Sequence, residues 1–374
     1  MRYCLRCLQP DTRPAIEFGP DGVCPACTYS VSLGKVDWNA RREELQAAIA
    51  PHRRRGKSGF DCIVGVSGGK DSTRQSLWVR DKLELQPLLV CVGYPPRQLS
   101  DRGAENLGNL IDLGFDVVSI NPAPETWRQM MKVSFAKFTN WARSTELALF
   151  SGVPRLAIDY GISLILWGEN PALQLGDMGT LGQTGYDGSN LRNANTLSGG
   201  ADAWLRDAGF TDDQLISYRY PSLQEFEDAN IELFYMGWAL GDWSLVNNAI
   251  VSGLNGLEFR DDGPENTGDL FGVTALDEDW VTLNQMIKYY KFGFGRATDY
   301  MNEEIRQGRI TRDDACEIVA TYDGACSDDY IEQFCDFIDI DIADFWEQVR
   351  ANTNADLFEV PPSGRPCPRF VVGH

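Results

Sequence analysis

Asp61-Cys62-Ile63-Val64-Gly65-Val66-Ser67-Gly68-Gly69-Lys70-Asp71-Ser72 is the stretch from which the rest of the chain can be read. Its first half is short, apolar and β-branched, which predicts a buried strand. Its second half is a glycine turn, and the residues that follow, about Thr73 to Leu85, predict a helix. A glycine turn between strand and helix aims backbone N–H groups and a helix N-terminus at one point, which suits phosphate. Gly68 and Gly69 let the backbone approach closely. Ser67 and Ser72 supply hydroxyls, and Lys70 supplies positive charge. Asp71 is a poor phosphate contact alone but suits a Mg²⁺ ion that bridges phosphates. Two commoner phosphate motifs are excluded. A Walker A loop needs G-x4-G-K-[ST], yet Val64 stands at its first glycine and Asp71 follows Lys70. The dinucleotide fingerprint G-x-G-x-x-G is absent after this strand.

Outward from this unit the pattern repeats. Further strands are predicted at Pro87 to Tyr94, Asp116 to Asn121 and Ile162 to Trp167. Helices are predicted at Val36 to Ala50, Asp101 to Leu113, Glu125 to about Leu149, and from Pro154 to Tyr160. Alternating strands and helices predict an α/β fold, a parallel sheet with helices on both faces. Ligands of such sheets bind beyond the carboxyl ends of the strands. Glu169 and Asn170, just past the fourth strand, fall there and are candidate substrate-binding residues. After Leu175 glycine recurs every third residue from Gly176 to Gly188, which reads either as a surface loop or as a lid over substrate. From Ala201 onward the chain reads as mostly helical, with Phe234 to Trp238 and Trp243 as core aromatics. The expected division is 1–35, 36–200 and 201–374.

The first of these units is defined by cysteine. Cys4-x2-Cys7 and Cys24-x2-Cys27 give two thiolate pairs at the spacing of a tetrahedral Zn²⁺ site. Pro10 to Gly22 between them could hardly build a core, so metal binding would fold the module. Four thiolates leave no open position, which predicts a structural ion. Cys62 and Cys91 fall in predicted strands as small core residues. Cys316, Cys326, Cys335 and Cys367 have no ligand spacing. The two histidines, His52 and His374, lie outside the centre of the chain, so a histidine base is not expected.

Length and charge narrow the function. The 374 residues carry 34 basic and 54 acidic side chains, a formal net charge of −20. Such a chain should repel nucleic acid unless it has a strong basic patch. The small basic excess ends in Arg53-Arg54-Arg55-Gly56-Lys57, which reads as a solvated linker. Residues 301–360 hold sixteen acidic and four basic residues, a solvated or docking face. No apolar run is long enough to span a membrane. The first residues show no apolar signal segment, so a cytoplasmic address is expected.

The hexapeptide Ser67 to Ser72 resembles the PP-loop of the N-type ATP pyrophosphatases. Trp167-Gly168-Glu169-Asn170, Lys291-Phe292-Gly293-Phe294-Gly295-Arg296-Ala297-Thr298-Asp299, and the run from Ile305 to Arg312 with Tyr322-Asp323-Gly324 resemble segments of the bacterial N-acetyl sugar amidotransferases. The resemblance implies an adenine-nucleotide α-hydrolase-like domain between a zinc-ribbon module and a helical region that completes the active site. It implies ATP held by Val66, Gly93 and the loop, with Asp71, Glu169, Lys291 and Arg296 in catalysis. Lys291 and Arg296 would steady the pyrophosphate leaving group, and Asp299 and Arg312 would be structural. The implied reaction adenylates the carbonyl oxygen of an acetamido sugar, free or nucleotide-linked, and replaces it with nitrogen from ammonia to give an acetamidino sugar for surface polysaccharide. The implied ammonia source is a separate glutaminase with a channelling subunit, similar to the imidazole glycerol phosphate synthase pair. The competing readings are a PP-loop tRNA thiolase and a nucleotide-binding scaffold without turnover.

Overall fold

The computed structural model describes residues 1–53, 58–169, 172, 184–193, 197 and 202–374. Five strands, β1 (Cys62–Val66), β2 (Pro87–Val92), β3 (Asp116–Ile120), β4 (Leu164–Trp167) and β5 (Glu232–Tyr235), form one parallel sheet in the order β3-β2-β1-β4-β5. The chain winds outward from β1 to β3, then returns to the other side of β1 with β4. The order therefore reverses between β1 and β4, and a crevice opens at their carboxyl ends.

Alternation along the strands builds two cores. Ile63, Leu88, Val90, Ile165 and Leu233 face one, while Cys62, Val64, Leu89, Leu164 and Phe234 face the other. Helices α2 (Trp38–Ile49), α3 (Lys70–Asp81) and α4 (Asp101–Asp112) cover the second core through Leu45, Val79 and Leu110. Helices α5 (Pro124–Phe138) and α6 (Ala142–Tyr160) cover the first through Trp127, Met131, Leu147 and Val153. Burying a side chain of this kind contributes about 1.5–3 kcal/mol, so each strand is held from both faces. Cys62 and Cys91 are buried strand residues, as expected.

Three features differ from the sequence reading. The predicted helix from Glu125 to Leu149 breaks at Thr139, which takes a left-handed φ of 45°. Asn140 Oδ1 then accepts the N–H of Ala142, and α6 runs on through Pro154 instead of starting there. The second difference is β5. Its four residues lie beyond 200, so a boundary drawn there cuts the sheet. A short apolar run has no period that separates strand from helix. The third is Gly188, at the described end of the glycine run. A Cβ there would lie 2.0 Å from Leu233 Cδ2, so this glycine lets residues 186–188 pack on β5. Gly176, Gly179, Gly182 and the run Arg54 to Lys57 lie outside the described residues.

His52 is also better placed than its position in the sequence implies. Its Nδ1 pairs with Ser163 Oγ at 2.8 Å and its Nε2 with Glu232 Oε2 at 2.9 Å. This clamp joins the amino ends of β4 and β5, the end of the sheet opposite the phosphate loop.

The region after β5 is mostly helical. Short helices α7 (Ala203–Asp207) and α8 (Leu223–Asp228) precede β5. After it come α9 (Leu245–Gly253), α10 (Pro264–Thr267), α11 (Val281–Phe292), α12 (Arg296–Arg306), α13 (Arg312–Tyr322), α14 (Asp328–Ile338) and α15 (Ile342–Ala351), then an antiparallel pair of two-residue strands, β6 (Phe358–Glu359) and β7 (Cys367–Pro368). Leu283, Phe334 and Phe345 of α11, α14 and α15 complete the first core. Among the described residues no helix is long and apolar enough to cross a membrane.

Candidate active site

The loop after β1 takes the conformation that its glycines permit. Gly68 has φ +82°, and a Cβ there would meet Leu107 N at 3.0 Å and the Asn106 carbonyl carbon at 3.1 Å. Left-handed backbone and contact with α4 both demand glycine here. Gly69 is the N-cap residue of α3, and no side chain caps that helix. The first N–H groups of a helix have no partner within it, so this end is open to an anion. Ser67 Oγ accepts the N–H of Gly69 at 3.3 Å, and Ser72 Oγ donates to the Gly69 carbonyl at 3.1 Å.

Lys70 is buried and its Nζ lies 2.9 Å from Asp71 Oδ2. Asp71 is positioned by α9. Asn248 Nδ2 donates to Asp71 Oδ1 at 2.6 Å, and Arg74 Nη1 donates to Asn248 Oδ1 at 2.6 Å. Arg74 is anchored by Asp242 Oδ1 at 2.6 Å, and Ser252 Oγ donates to the Lys70 carbonyl at 2.6 Å. A chain of charge-assisted bonds therefore holds the loop's one carboxylate in a single orientation.

Across the crevice, Gly168 ends β4 against Gln75 and Trp243, where a Cβ would meet Gln75 Oε1 at 2.7 Å. Gln75 Nε2 donates to the Leu166 carbonyl at 2.5 Å. Glu169 follows. It keeps solvent-accessible surface, but it stands in a recess crowded by protein. Desolvation there pushes its carboxyl up to about 7, and the charge of Asp71 pushes the same way. Gly93 ends β2 beside β1, its N–H bonded to the Ile120 carbonyl at 2.9 Å. Asn170 lies outside the described residues.

A third acid enters from α12. Glu303 Oε1 accepts the N–H of Leu245 at 2.6 Å, which ties α12 to the start of α9. Burial raises its pKa, Arg306 opposes the rise, and Asp71 and Lys70 also act on it. Arg306 Nε is buried without a partner among the described residues. Asn248 and Glu303 carry no local motif, and packing alone brings them to the loop, whereas Arg74 follows it on α3. Arg306 does stand in a signature run, Ile305 to Arg312.

Lys291 stands in the last turn of α11 and Arg296 in the first turn of α12. Lys291 Nζ donates to the carbonyl oxygens of Phe138, at 2.5 Å, and Thr139, at 3.0 Å. Arg296 opens α12, whose Asp299 pairs with Arg13 and Lys288. Those two cations hold the Asp299 carboxyl down to about 2 although burial pushes it up. Among the described residues no hydrogen bond joins Lys291 or Arg296 to residues 67–72. Much of this signature builds a helix joint. Gly293 is the left-handed C-cap of α11, with φ +75°. Asp323 accepts the N–H groups of Gly295 and Thr298 at 2.8 and 3.0 Å, which caps α12.

The same joint receives the cysteine module. Cys4, Cys7, Cys24 and Cys27 are buried, and their sulfurs all lie within 4.8 Å of one another. The N–H groups of Arg6 and Cys24 point at Cys4 Sγ, and that of Gln9 points at Cys7 Sγ. Helix α1 (Pro25–Leu33) starts inside the second pair. This donor set fits Zn²⁺ with no position left open. The module docks on the helical region: Leu8 N–H donates to Asn302 Oδ1 at 2.7 Å, and Arg312 Nε to the Cys7 carbonyl at 3.3 Å. Asp299, through Arg13, and Arg312 thus join the module to the helical region. Among the described residues this is the only group of three or more metal-ligating side chains drawn so close. Asp71, Glu169 and Glu303 do not form a comparable cage.

Residues 265–361, from α10 through β6, match the family model described as "LPS biosynthesis protein WbpG-like, C-terminal domain". The match supports a role in polysaccharide biosynthesis, and a biosynthetic domain suggests an enzyme. No curated protein matches the chain.

Proposed function

We propose that the chain is an ATP-dependent amidotransferase that converts the acetamido group of a sugar into an acetamidino group. One observation carries the reading. The loop Ser67 to Ser72 lies at the point where the strand order reverses, with an open helix N-terminus, Lys70 and a positioned Asp71. The family match to polysaccharide biosynthesis supports a sugar as the acceptor.

An amide is a poor electrophile because nitrogen donates into the carbonyl. In the proposed reaction the carbonyl oxygen of the acetamido group attacks the α-phosphorus of ATP. The α–β phosphoanhydride bond breaks and pyrophosphate leaves. Ammonia then adds to the activated carbon, the C–O bond breaks, and AMP departs with the oxygen. The loop N–H groups and Lys70 hold the phosphate chain and stabilise the pyrophosphate. Asp71 supplies a ligand for Mg²⁺, which would neutralise phosphate charge. Glu169, on the facing strand, orients the acceptor or shares that ion. Lys291 donates to the Phe138 and Thr139 carbonyl oxygens, and the pyrophosphate role is given to the loop and Lys70 ahead of Lys291 and Arg296. Ammonia is supplied by a glutaminase through a channelling subunit.

The test is the fate of ATP. The full chain with ATP, Mg²⁺, ammonium and a panel of acetamido sugars is expected to give AMP and pyrophosphate only when sugar is present. ADP and phosphate, or no sugar dependence, would overturn the reading.

A further inference from the structure

Arg306, the last residue of α12, is a cation that the fold leaves unanswered. Its side chain is half-buried, and its Nε is buried without a hydrogen-bond partner among the described residues. The cations around it are all engaged. Arg309, three residues on, is gripped by both carboxylate oxygens of Glu304 at 2.6 Å. Arg312 donates to the carbonyl oxygens of Cys7 and Gly373. Arg74 holds Asp242 and Asn248, and Lys70 holds Asp71. Among the described residues Arg306 forms no ion pair, although the chain carries 54 acidic side chains. A buried donor without a partner costs stability, and a folded protein that keeps one calls for a reason.

Its place in the fold supplies the reason. Glu303, one turn earlier on α12, accepts the N–H of Leu245 at 2.6 Å. Asn248, one turn further along α9, donates to Asp71 Oδ1 at 2.6 Å, and Ser252, the next turn, donates to the Lys70 carbonyl at 2.6 Å. The end of α12 is therefore tied through the start of α9 to the phosphate loop. Glu303 stands in the electrostatic reach of Arg306, Asp71 and Lys70 together. Arg296 is ten residues earlier on the same helix, about 15 Å along its axis, and acts on Asp299 instead.

The charge balance of the crevice asks for such a group. Lys70 is matched by Asp71 at 2.9 Å, and Glu169 and Glu303 both stand in the field of that pair. A polyanion entering there meets more acid than base unless another cation joins. A guanidinium is a planar fork of donors that stays charged at every working pH and fits two phosphate oxygens at once. We propose that Arg306 is a phosphate ligand of the site, holding the β- and γ-phosphates of ATP across from the loop. When the α–β bridging bond breaks, the electron pair stays on the β-phosphate oxygen, and the Arg306 N–H groups donate to that growing charge. The helical region thus supplies part of the nucleotide site. The assignment rests on the loop as an ATP site, and not on the sugar acceptor or on ammonia.

Calorimetric titration of the full chain with ATP, pyrophosphate and AMP, each with Mg²⁺, tests it in the wild type, Arg306→Ala and Arg306→Lys. Arg306→Ala is expected to weaken ATP and pyrophosphate at least about tenfold, the worth of one charge-assisted hydrogen bond, and to leave AMP unchanged. Arg306→Lys should recover part of the loss, since lysine keeps the charge without the fork. The melting temperature of Arg306→Ala is expected to hold or rise, because the substitution removes an orphaned donor. An alanine variant that binds ATP and pyrophosphate like the wild type overturns the assignment. So does one that melts lower and loses AMP equally, which is the mark of a merely structural role. The two readings fail separately. A wild type that binds neither ATP nor pyrophosphate sinks the loop and Arg306 together. The expected binding pattern without turnover of any acetamido sugar would leave Arg306 in place and remove the amidotransferase.

Discussion

The cysteine module and the phosphate loop are both short turns rich in special residues, and they are held in opposite ways. The loop sits between a buried strand and a helix. Gly68 lies against α4 and Asp71 is fixed through Asn248 and Arg74. Its shape comes from the two cores beneath it. The module has a small apolar cluster, made largely of the four cysteines with Val23 and Ala26. Its four cysteines could bind a metal such as zinc, and Asn302, Arg312 and Asp299 hold its place. Position in the first case is a product of folding. In the second it is a product of docking and, we propose, of metal ligation.

We propose that the four cysteines hold zinc, and the contrast can be broken most severely at that site. Chelation, or Cys24→Ser, is expected to release one zinc per chain by elemental analysis and to open residues 1–35 to protease, while the sheet still melts cooperatively. Structural zinc sites of this type contribute about 10–16 kcal/mol to their own folding. A module that resists protease without metal would remove the contrast. The next effect is at the loop. Gly68→Ala is expected to lose about 1–3 kcal/mol from its left-handed backbone alone, more from contact with α4, and ATP binding with it. Gly108→Ala, in the same α4 but with nothing within 4 Å of the new Cβ, is expected to gain about 0.5–1 kcal/mol. Thermal melts of the pair decide whether the loop is moulded by α4. Asn248→Ala, which leaves Arg74 and Asp71 each short of a partner, should cost about 1–3 kcal/mol in the melt and cut the turnover of pyrophosphate release by about 10–100-fold, as loss of a ligand-orienting partner does.

The smallest effect concerns the joint between sheet and helical region. Glu278 is buried, accepts the N–H groups of Trp280 and Val281 at 2.8 Å, and is pushed up to about 8 by desolvation and by Asp277. A carboxyl raised in the folded state binds its proton more tightly there than in the unfolded chain. Its contribution is therefore complete below the ordinary carboxyl range and is lost as pH rises through about 8. Glu278→Gln should flatten that fall in melting temperature. A wild-type melt that rises over this window would contradict the assignment.

What the sequence revealed follows the range of the interactions. The loop was legible because strand, glycines and helix are contiguous. The four cysteines were legible because each pair is local and only one gap had to close. Strand β5 was not, since Glu232 to Tyr235 is too short to show a period. The partners of Asp71 were not legible either, because Asn248 and Arg74 meet only after α9 packs on α3. Lys291 and Arg296 show the limit of a signature. Their neighbourhood was recognisable, but the bonds of Lys291 to the Phe138 and Thr139 carbonyl oxygens depended on how α11 packs.

The most direct test of the central claim is the chemical fate of the sugar. With ATP, Mg²⁺ and ¹⁵N-ammonium, mass spectrometry is expected to find the acetamido oxygen replaced by a ¹⁵NH group, one AMP formed per product, and none of either with Asp71→Ala. Unchanged sugars together with pyrophosphate release on undermodified tRNA would contradict the account and make the protein a thiolase.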